Sequence, residues 1–235
     1  QGRRHGDPRH PGTAALAAIR EGELRAAAAV LGIRDVTVLG YPDGGLDRVD
    51  PIEALARIAG HVRRLRPDVV LTFGPDGAYG HPDHIAISQF TTAAVVVAAA
   101  APSPDSGEPA HAVAKLYYLA WPRTTWHAYE AVFGRLSSSV DGTVRETTPW
   151  PDWAVTTTID TRAVWPVTRR AIACHASQVA DASVLAAAGA DLALWTQQSF
   201  YRAFSTVSGG RVHEADLFLG TGDCGGRAEM ARLTA

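Results

Sequence analysis

Cysteine is scarce in this sequence, which has two cysteines, Cys174 and Cys224, among 235 residues. These two do not form a zinc-binding cysteine motif, and the sequence leaves open whether their side chains meet in the fold. So few cysteines in a chain of this size are typical of a reducing compartment, and we expect a cytoplasmic protein. No signal peptide is visible, but the chain opens at Gln1, so a targeting segment upstream stays an open question.

The sequence also lacks a long apolar run, an excess of one charge and internal repeats. Its longest apolar stretch, residues 93–101, is too short to cross a bilayer. The formal net charge is -2, from 22 basic and 24 acidic residues, whereas nucleic-acid-binding domains are usually strongly basic. These absences argue against a membrane protein and against nucleic acid as the main partner.

The chain does contain an alternation of helix and strand patterns. Apolar residues at helical spacing run from Thr13 and stop at Gly32, and a second helix begins where Asp50 caps, Pro51 takes the first position and Glu53 completes a capping box. The other helices are predicted over 82 to about 101, 162–174 and 186–204. Strands are predicted over 36–39, 68–73, 115–121 and 155–159.

This order predicts an α/β fold. Residues 68–73 show little polar alternation, which is typical of a strand covered on both faces in a parallel sheet. We therefore expect a Rossmann-like layered parallel sheet flanked by helices, with a C-terminal α+β extension. Residues 1–235 are expected to form a single domain, with residues 102–114 as a surface loop.

The residues most suggestive of chemistry are His81, Pro82, Asp83 and His84, at the start of the third helix. Sites in α/β sheets form beyond the carboxyl ends of strands, and this cluster follows a buried strand and a glycine-rich loop. His81 and His84 lie three positions apart, so they can share one side of the first helical turn. The alternative is a purely structural role in capping the helix, but the placement favours function.

The cluster is incomplete as a catalytic zinc site. Such a site usually takes three protein ligands and keeps one position for water, and one helical turn cannot supply three ligands in tetrahedral geometry. Additional ligands must therefore come from elsewhere in the protein.

Three segments resemble the LmbE/PIG-L family of metal-dependent deacetylases, in its mycothiol-type deacetylase and amidase branch. Residues 66–84 resemble the second signature of the family, ending in G-A-Y-G-H-P-D-H. Residues 20–32 resemble the helix before that signature, and residues 175–178 match the H-x-S-Q of a later helix. The likeness runs from about residue 13 to residue 101, with a looser echo at 170–178.

The resemblance implies a zinc-dependent hydrolase that removes an N-acetyl or other N-acyl group from an amino sugar or glycoconjugate. It implies that His84 is a zinc ligand and that His81 is the electrophilic or general-acid histidine, tuned by Asp83. Tyr79 would stabilise the oxyanion.

On the substrate side, the resemblance implies that Arg20 and Asp43 hold sugar hydroxyl groups. Gln178 would lie near the site in a role that the residues themselves do not define. The expected partner is a small amino-sugar or glycoconjugate substrate, with a weak expectation of a homo-oligomer.

The first signature of the family, a strand followed by H-P-D-D-E, is not matched anywhere in the 235 residues. Three explanations are open: the chain is the remainder of a longer protein, it is a truncated inactive form, or His5, Asp7 and His10 substitute as ligands. The first is the most natural, because a sheet without its first strand exposes a long apolar gap. The rival hypothesis for function is a catalytically inactive relative that binds a sugar without hydrolysing it.

Overall fold

The computed structural model describes residues 12–101, 108–133, 137–140, 142–146, 149–178, 196–207 and 212–222. The chain divides into two compact units. The first unit comprises Gln1–Asp43, Thr124–Arg135 and Asp160–Gln198. The second unit comprises Gly44–Arg123, Leu136–Ile159 and Ser199–Ala235.

Helices and strands alternate through the first half of the described chain. The helices are α1 (Thr13–Val30), α2 (Pro51–Leu65), the single turn α3 (Gly77–Gly80), α4 (Pro82–Ala99), α5 (Arg123–Phe133) and α6 (Trp165–Ala173). The strands are β1 (Val69–Thr72), β2 (Lys115–Leu119), β3 (Ser137–Val140), β4 (Thr143–Glu146), β5 (Thr157–Asp160) and β6 (Gln197–Ser205). Short 3-10 helices cover Leu46–Arg48, Asp152–Ala154 and Arg162–Val164.

The ends of α1 and α2 are set by local sequence, as predicted. Gly32 has a φ of 72°, and Ile33 N donates to Ala28 O at 2.9 Å, so α1 ends in a Schellman turn that favours glycine at this position. At the start of α2, Asp50 accepts a hydrogen bond from Ile52 N at 2.8 Å. Glu53, predicted to complete a capping box, instead lies 3.8 Å from the guanidinium of Arg57.

The main sheet lies in the second unit and has the strand order β1-β2-β6-β5. β1 pairs in parallel with β2, and β2 pairs antiparallel with β6. β3 and β4 form a separate antiparallel hairpin. The α/β prediction is therefore confirmed, but the sheet is mixed rather than parallel throughout.

Small side chains let α2 and α4 pack closely in the core of the second unit. Ala59 and Val62 from α2 meet Ala94 and Ala98 from α4, and Leu116 of β2 belongs to the same buried cluster. Alanine at the contact brings two helices close together without leaving voids. The packing fixes α4, and with it the residues that begin this helix.

Two predicted elements are wrong. Residues 36–39 form no strand, because the apolar run finds no ladder partner among the described residues, and Val36 O instead accepts from Arg25 at 3.4 Å. The helix predicted over 186–204 is a strand from Gln197 onward, while residues 186–195 lie outside the described part. Antiparallel pairing with β2 overrides the helical tendency of this segment.

The first unit contains α1 and α6, which contact each other, and most of α5. Thr161 N donates to Thr196 O at 2.7 Å within this unit. In the predicted surface loop, residues 102–107 lie outside the described part, and 108–114 are irregular with Val113 buried. None of the described helices has the length and apolar character needed to cross a membrane.

Candidate active site

The turn after β1 carries Tyr79 and has an unusual backbone. Gly77, Ala78 and Gly80 all have positive φ, at 63°, 63° and 73°. A Cβ at Gly77 would lie 2.7 Å from Cγ1 of Ile85, so only glycine fits. Ala78, with φ 63° and ψ -57°, carries a steric cost that glycine would not. Such a turn places Tyr79 in one defined position.

His84 is held on two sides. Its ring stacks on Phe73 at 3.9 Å between centroids and 6° between planes. Its Nδ1 lies 3.2 Å from Gly77 O, and since a carbonyl only accepts, we assign the proton to Nδ1. The Nε2 nitrogen then carries the lone pair, which is the form of imidazole that binds metals.

His81 is assigned the opposite tautomer. It is the N-cap of α4, and its Nδ1 accepts a hydrogen bond from Asp83 N at 3.2 Å. A nitrogen that accepts cannot carry the proton of a neutral imidazole, so Nε2 is the donor. The site therefore pairs one histidine that offers a lone pair with one that offers an N–H.

Three rings of the site lie side by side. The centroids of His81 and His84 are 4.7 Å apart, and Tyr79 lies 5.9 Å from His81 and 5.3 Å from His84. The tyrosine ring is nearly perpendicular to both imidazoles, at 75° and 76°. The structure thus brings together three residues to which the resemblance gave roles in catalysis or metal binding.

Asp83 contacts the backbone of another loop. Its two oxygens accept from Gly44 N at 2.6 Å and from Leu46 N at 3.0 Å. Arg48 also donates to Gly44 O at 2.6 Å, so this loop is fixed to the start of α4. Asp83 therefore joins this loop to the start of α4. Its predicted role in tuning His81 stays a prediction.

Asp76 precedes Gly77 in the turn that carries Tyr79 and is hydrogen-bonded by Trp150, and sequence reasoning missed both residues. Oδ1 of Asp76 is buried and makes no hydrogen bond within the part of the chain that the structure describes. Burial raises the pKa of Asp76 above its ordinary value, and hydrogen bonds that include one from Trp150 offset part of the rise. The sequence gives no local signal for this pairing, because Trp150 lies far along the chain.

The predicted substrate-binding residues belong to the first unit. Arg20 lies 3.9 Å from Asp43, measured from Nη1 to Oδ2, which is a loose ion pair. Its Nε is buried and has no hydrogen-bond partner among the described residues. A guanidinium carries five N–H donors, so Arg20 keeps the capacity to bind further oxygen atoms.

Gln178 lies in a turn that follows α6. Its backbone N donates to His175 O at 2.9 Å, and its Nε2 lies 3.4 Å from Nδ1 of His175. The preceding Ser177 is bonded to Glu23 on α1 through both its backbone N and its hydroxyl. Glu23 and Ser177 lie inside the segments 20–32 and 175–178 that resemble the family, but no role was predicted for them.

A catalytic zinc ion usually takes three protein ligands. Within the described residues, no group of three or more histidine, cysteine, aspartate or glutamate side chains could hold a metal. Both oxygens of Asp83 face backbone amides, and Nδ1 of His81 caps the helix. The described residues therefore do not fit a three-ligand zinc site, although His84 Nε2 has the right chemistry for one ligand.

The sequence is similar to a known protein family and to several known proteins. Residues 1–95 match the PIG-L family, described as GlcNAc-PI de-N-acetylase. The 1D-myo-inositol 2-acetamido-2-deoxy-α-D-glucopyranoside deacetylase of Rhodococcus jostii (strain RHA1) is 40% identical over 184 residues, covering 70% of this chain and 62% of the relative. The protein of the same name from Kineococcus radiotolerans is 34% identical, covering 88% of this chain and 68% of the relative.

Two solved structures are also similar. The conserved protein TT1542 of Thermus thermophilus has a TM-score of 0.56 and 26% identity, over 84% of this chain and 77% of the other. The 4-carboxy-2-hydroxymuconate hydratase of Pseudomonas putida KT2440 has a TM-score of 0.51 and 18% identity, over 86% and 79%, and shows the shared fold.

The comparisons give the family to which this α/β chain belongs. The chain belongs to the LmbE/PIG-L deacetylase family. It spans about three-fifths of the length of the first two Rhodococcus relatives, at 62% and 59%.

Proposed function

We propose that the protein is a hydrolase that removes the N-acetyl group from an amino sugar carried on an inositol or a similar glycoconjugate. The names of the Rhodococcus and Kineococcus relatives support this reaction and substrate class. The observation that carries the proposal is the pair of hydrogen bonds from which opposite tautomers are assigned to His81 and His84. Amide hydrolysis needs both a donor to the carbonyl oxygen and a lone pair near the attacking water.

His81 supplies the donor. Its Nε2–H would bind the amide oxygen as negative charge develops there, and Tyr79, whose ring lies 5.9 Å away, would add a second donor. Because Nδ1 of His81 is held by the amide of Asp83, the ring cannot rotate without losing that hydrogen bond. The fold therefore fixes the orientation of the His81 Nε2–H in the absence of substrate.

His84 supplies the lone pair, and Gly77 fixes which nitrogen bears it. Zinc dependence is part of the proposal, with His84 as a ligand. The described residues alone do not complete such a site. Arg20, Asp43 and Gln178 are proposed to bind hydroxyl groups of the substrate.

The experiment is an acetate-release assay with N-acetylglucosaminyl-inositol, run beside an N-acetylglucosaminide without inositol. We expect His81→Ala to lower kcat by about 100-fold or more, since general acid–base groups typically contribute that much. His127→Ala is the control, because this exposed histidine on α5 pairs with Glu130 at 3.7 Å.

The assay also separates the rival function. Binding of the glycoside without acetate release from the wild-type protein would support the inactive sugar-binding alternative. Metal content, measured on wild type and His84→Ala by elemental analysis, tests the ligand assignment, since equal zinc in the two proteins would contradict it.

A further inference from the structure

We infer that Glu23 and Ser177 form a clamp that positions the substrate-binding residues of the first unit. The clamp joins α1 to the turn at residues 175–178 and holds Gln178 against the face of α1 that bears Arg20. The inference rests on the proposed function, since it assigns positioning residues to the substrate side of that site.

The clamp consists of two hydrogen bonds to one carboxylate. Oε1 of Glu23 accepts from Ser177 N at 2.6 Å, and Oε2 accepts from Ser177 Oγ at 2.8 Å. Both bonds involve a charged acceptor, which makes them stronger than bonds between neutral groups. Because they hold the backbone and the side chain of the same residue, they fix both the position and the rotation of the turn.

The turn itself carries two polar side chains. Gln178 N donates to His175 O at 2.9 Å, so Ser177 lies inside a closed turn between these residues. The side chains of His175 and Gln178 approach each other to 3.4 Å. Fixing Ser177 therefore fixes the two neighbours that can contact a ligand.

The clamp also affects Arg20. Glu23 follows Arg20 by three positions on α1, a spacing at which an acid and a base commonly pair. Here Ser177 takes both oxygens of Glu23, and Arg20 pairs only loosely with Asp43 at 3.9 Å. The guanidinium thereby keeps N–H donors that its loose pairing with Asp43 does not use.

The protonation of Glu23 supports this arrangement. Burial raises the pKa of Glu23, but the hydrogen bonds from Ser177, with His175 and Gln178 nearby, outweigh burial and leave the pKa below its ordinary value. Glu23 is thus a carboxylate at neutral pH, as a double acceptor must be. The guanidinium of Arg20, the carboxylate of Asp43 and the amide of Gln178 suit one class of ligand. This class is a ring with adjacent hydroxyl groups, such as a cyclitol.

The test uses Glu23→Gln and Ser177→Ala in the intact protein, with N-acetylglucosaminyl-inositol as substrate. Gln at position 23 replaces one acceptor by an NH₂ donor, and Ala at 177 removes the hydroxyl but keeps the backbone N–H. We expect KM to rise about tenfold in each, the loss of one charge-assisted hydrogen bond. Metal content and kcat should stay within about twofold.

Two further variants separate positioning from general damage. Ser177→Thr keeps a hydroxyl and should restore KM. Glu21→Gln removes the charge from a similar two-bond contact on the same helix, with Arg25 at 2.7 and 3.1 Å, but on the exposed surface, and should leave KM unchanged. An unchanged KM in Glu23→Gln and Ser177→Ala, or equal losses in kcat, would overturn the clamp.

Failure of the clamp and failure of the proposed function give different experimental results. If the wild-type protein binds the glycoside without releasing acetate, the proposed reaction is wrong, and the clamp is tested on Kd by calorimetry with the same expected tenfold weakening. A wild-type protein that neither hydrolyses nor binds the glycoside overturns both.

Discussion

Two carboxylates inside the second unit have pKa values that shift in opposite directions. Glu214 is 3% exposed and accepts from Lys115 Nζ at 2.7 Å, Tyr117 OH at 2.7 Å, Thr157 Oγ1 at 3.1 Å and Arg202 at 2.7 Å. Burial raises the pKa of Glu214, but these donors outweigh burial and lower the pKa below its ordinary value.

Asp76, at the turn that carries Tyr79, has the opposite balance. One of its oxygens is buried without a donor among the described residues, and burial raises the pKa above its ordinary value. The difference shows that the supply of donors, and not burial alone, decides the state of an enclosed acid. Glu214 fastens residues 212–222 to the sheet, whereas the backbone of the Asp76 turn requires glycine at a positive φ.

The largest expected effect comes from removing the charge of Glu214. Glu214→Gln leaves the buried Lys115 and the partly buried Arg202 beside a neutral group, and we expect a loss of about 3–5 kcal/mol in the free energy of unfolding. Urea denaturation at pH 7 measures it.

The control for this variant is Glu53→Gln on α2, which breaks an exposed pair with Arg57. It should cost at most about 0.5 kcal/mol. Similar losses in the two variants would mean that the buried cluster contributes no more than a surface pair.

The second effect concerns the backbone of the turn. Gly77→Ala adds a Cβ that meets Ile85 at 2.7 Å at a φ of 63°, and we expect a loss of about 1–3 kcal/mol with a fall in kcat. The fall follows because Gly77 O fixes the tautomer of His84.

Gly142→Ala is the matched control, because its φ is 76° and nothing lies within 4 Å of the added Cβ. It isolates the cost of the backbone conformation from the clash. Equal effects on stability and no effect on kcat in the two variants would remove Gly77 from the site.

The smallest expected effect is an increase in stability. Asp76→Asn replaces an acid whose folded pKa is raised, so we expect about 1 kcal/mol of added stability at pH 7. The contribution of Asp76 to the free energy of unfolding is fully present below its ordinary pKa of 3.8. It is lost as the pH rises through the raised pKa of the folded state.

The advantage of Asp76→Asn should therefore shrink between pH 7 and pH 4, as followed by urea midpoints. Glu214 has the reverse dependence, since its stabilisation is present above its ordinary value of 4.5 and is lost as pH falls. An Asp76→Asn advantage that grows toward acid pH would contradict the difference between the two acids.

The elements that the sequence predicted well are those with local signals. Asp50, Pro51 and Gly32 mark helix ends because caps and positive φ act within a few residues. The failures depend on distant partners. Residues 36–39 have a strand pattern without a ladder, and β6 is a strand because β2 pairs with it.

The same distinction holds at the site. Tyr79, His81 and His84 were predicted together because one short segment carries all three. The bond from Glu23 to Ser177 joins residues 154 positions apart, and Glu214 is 99 positions from Lys115. Only the fold brings such pairs together, so periodicity and spacing could not indicate them.

Lys115 is the single lysine of the sequence and is 1% exposed. Amine-reactive labels and surface-coupling reagents therefore have no accessible lysine ε-amine on the folded protein. A protease that cuts only after lysine has one target, at the start of β2, and can reach it only when the sheet opens. The rate of cleavage into two fragments would therefore report the opening of the sheet, without an engineered probe.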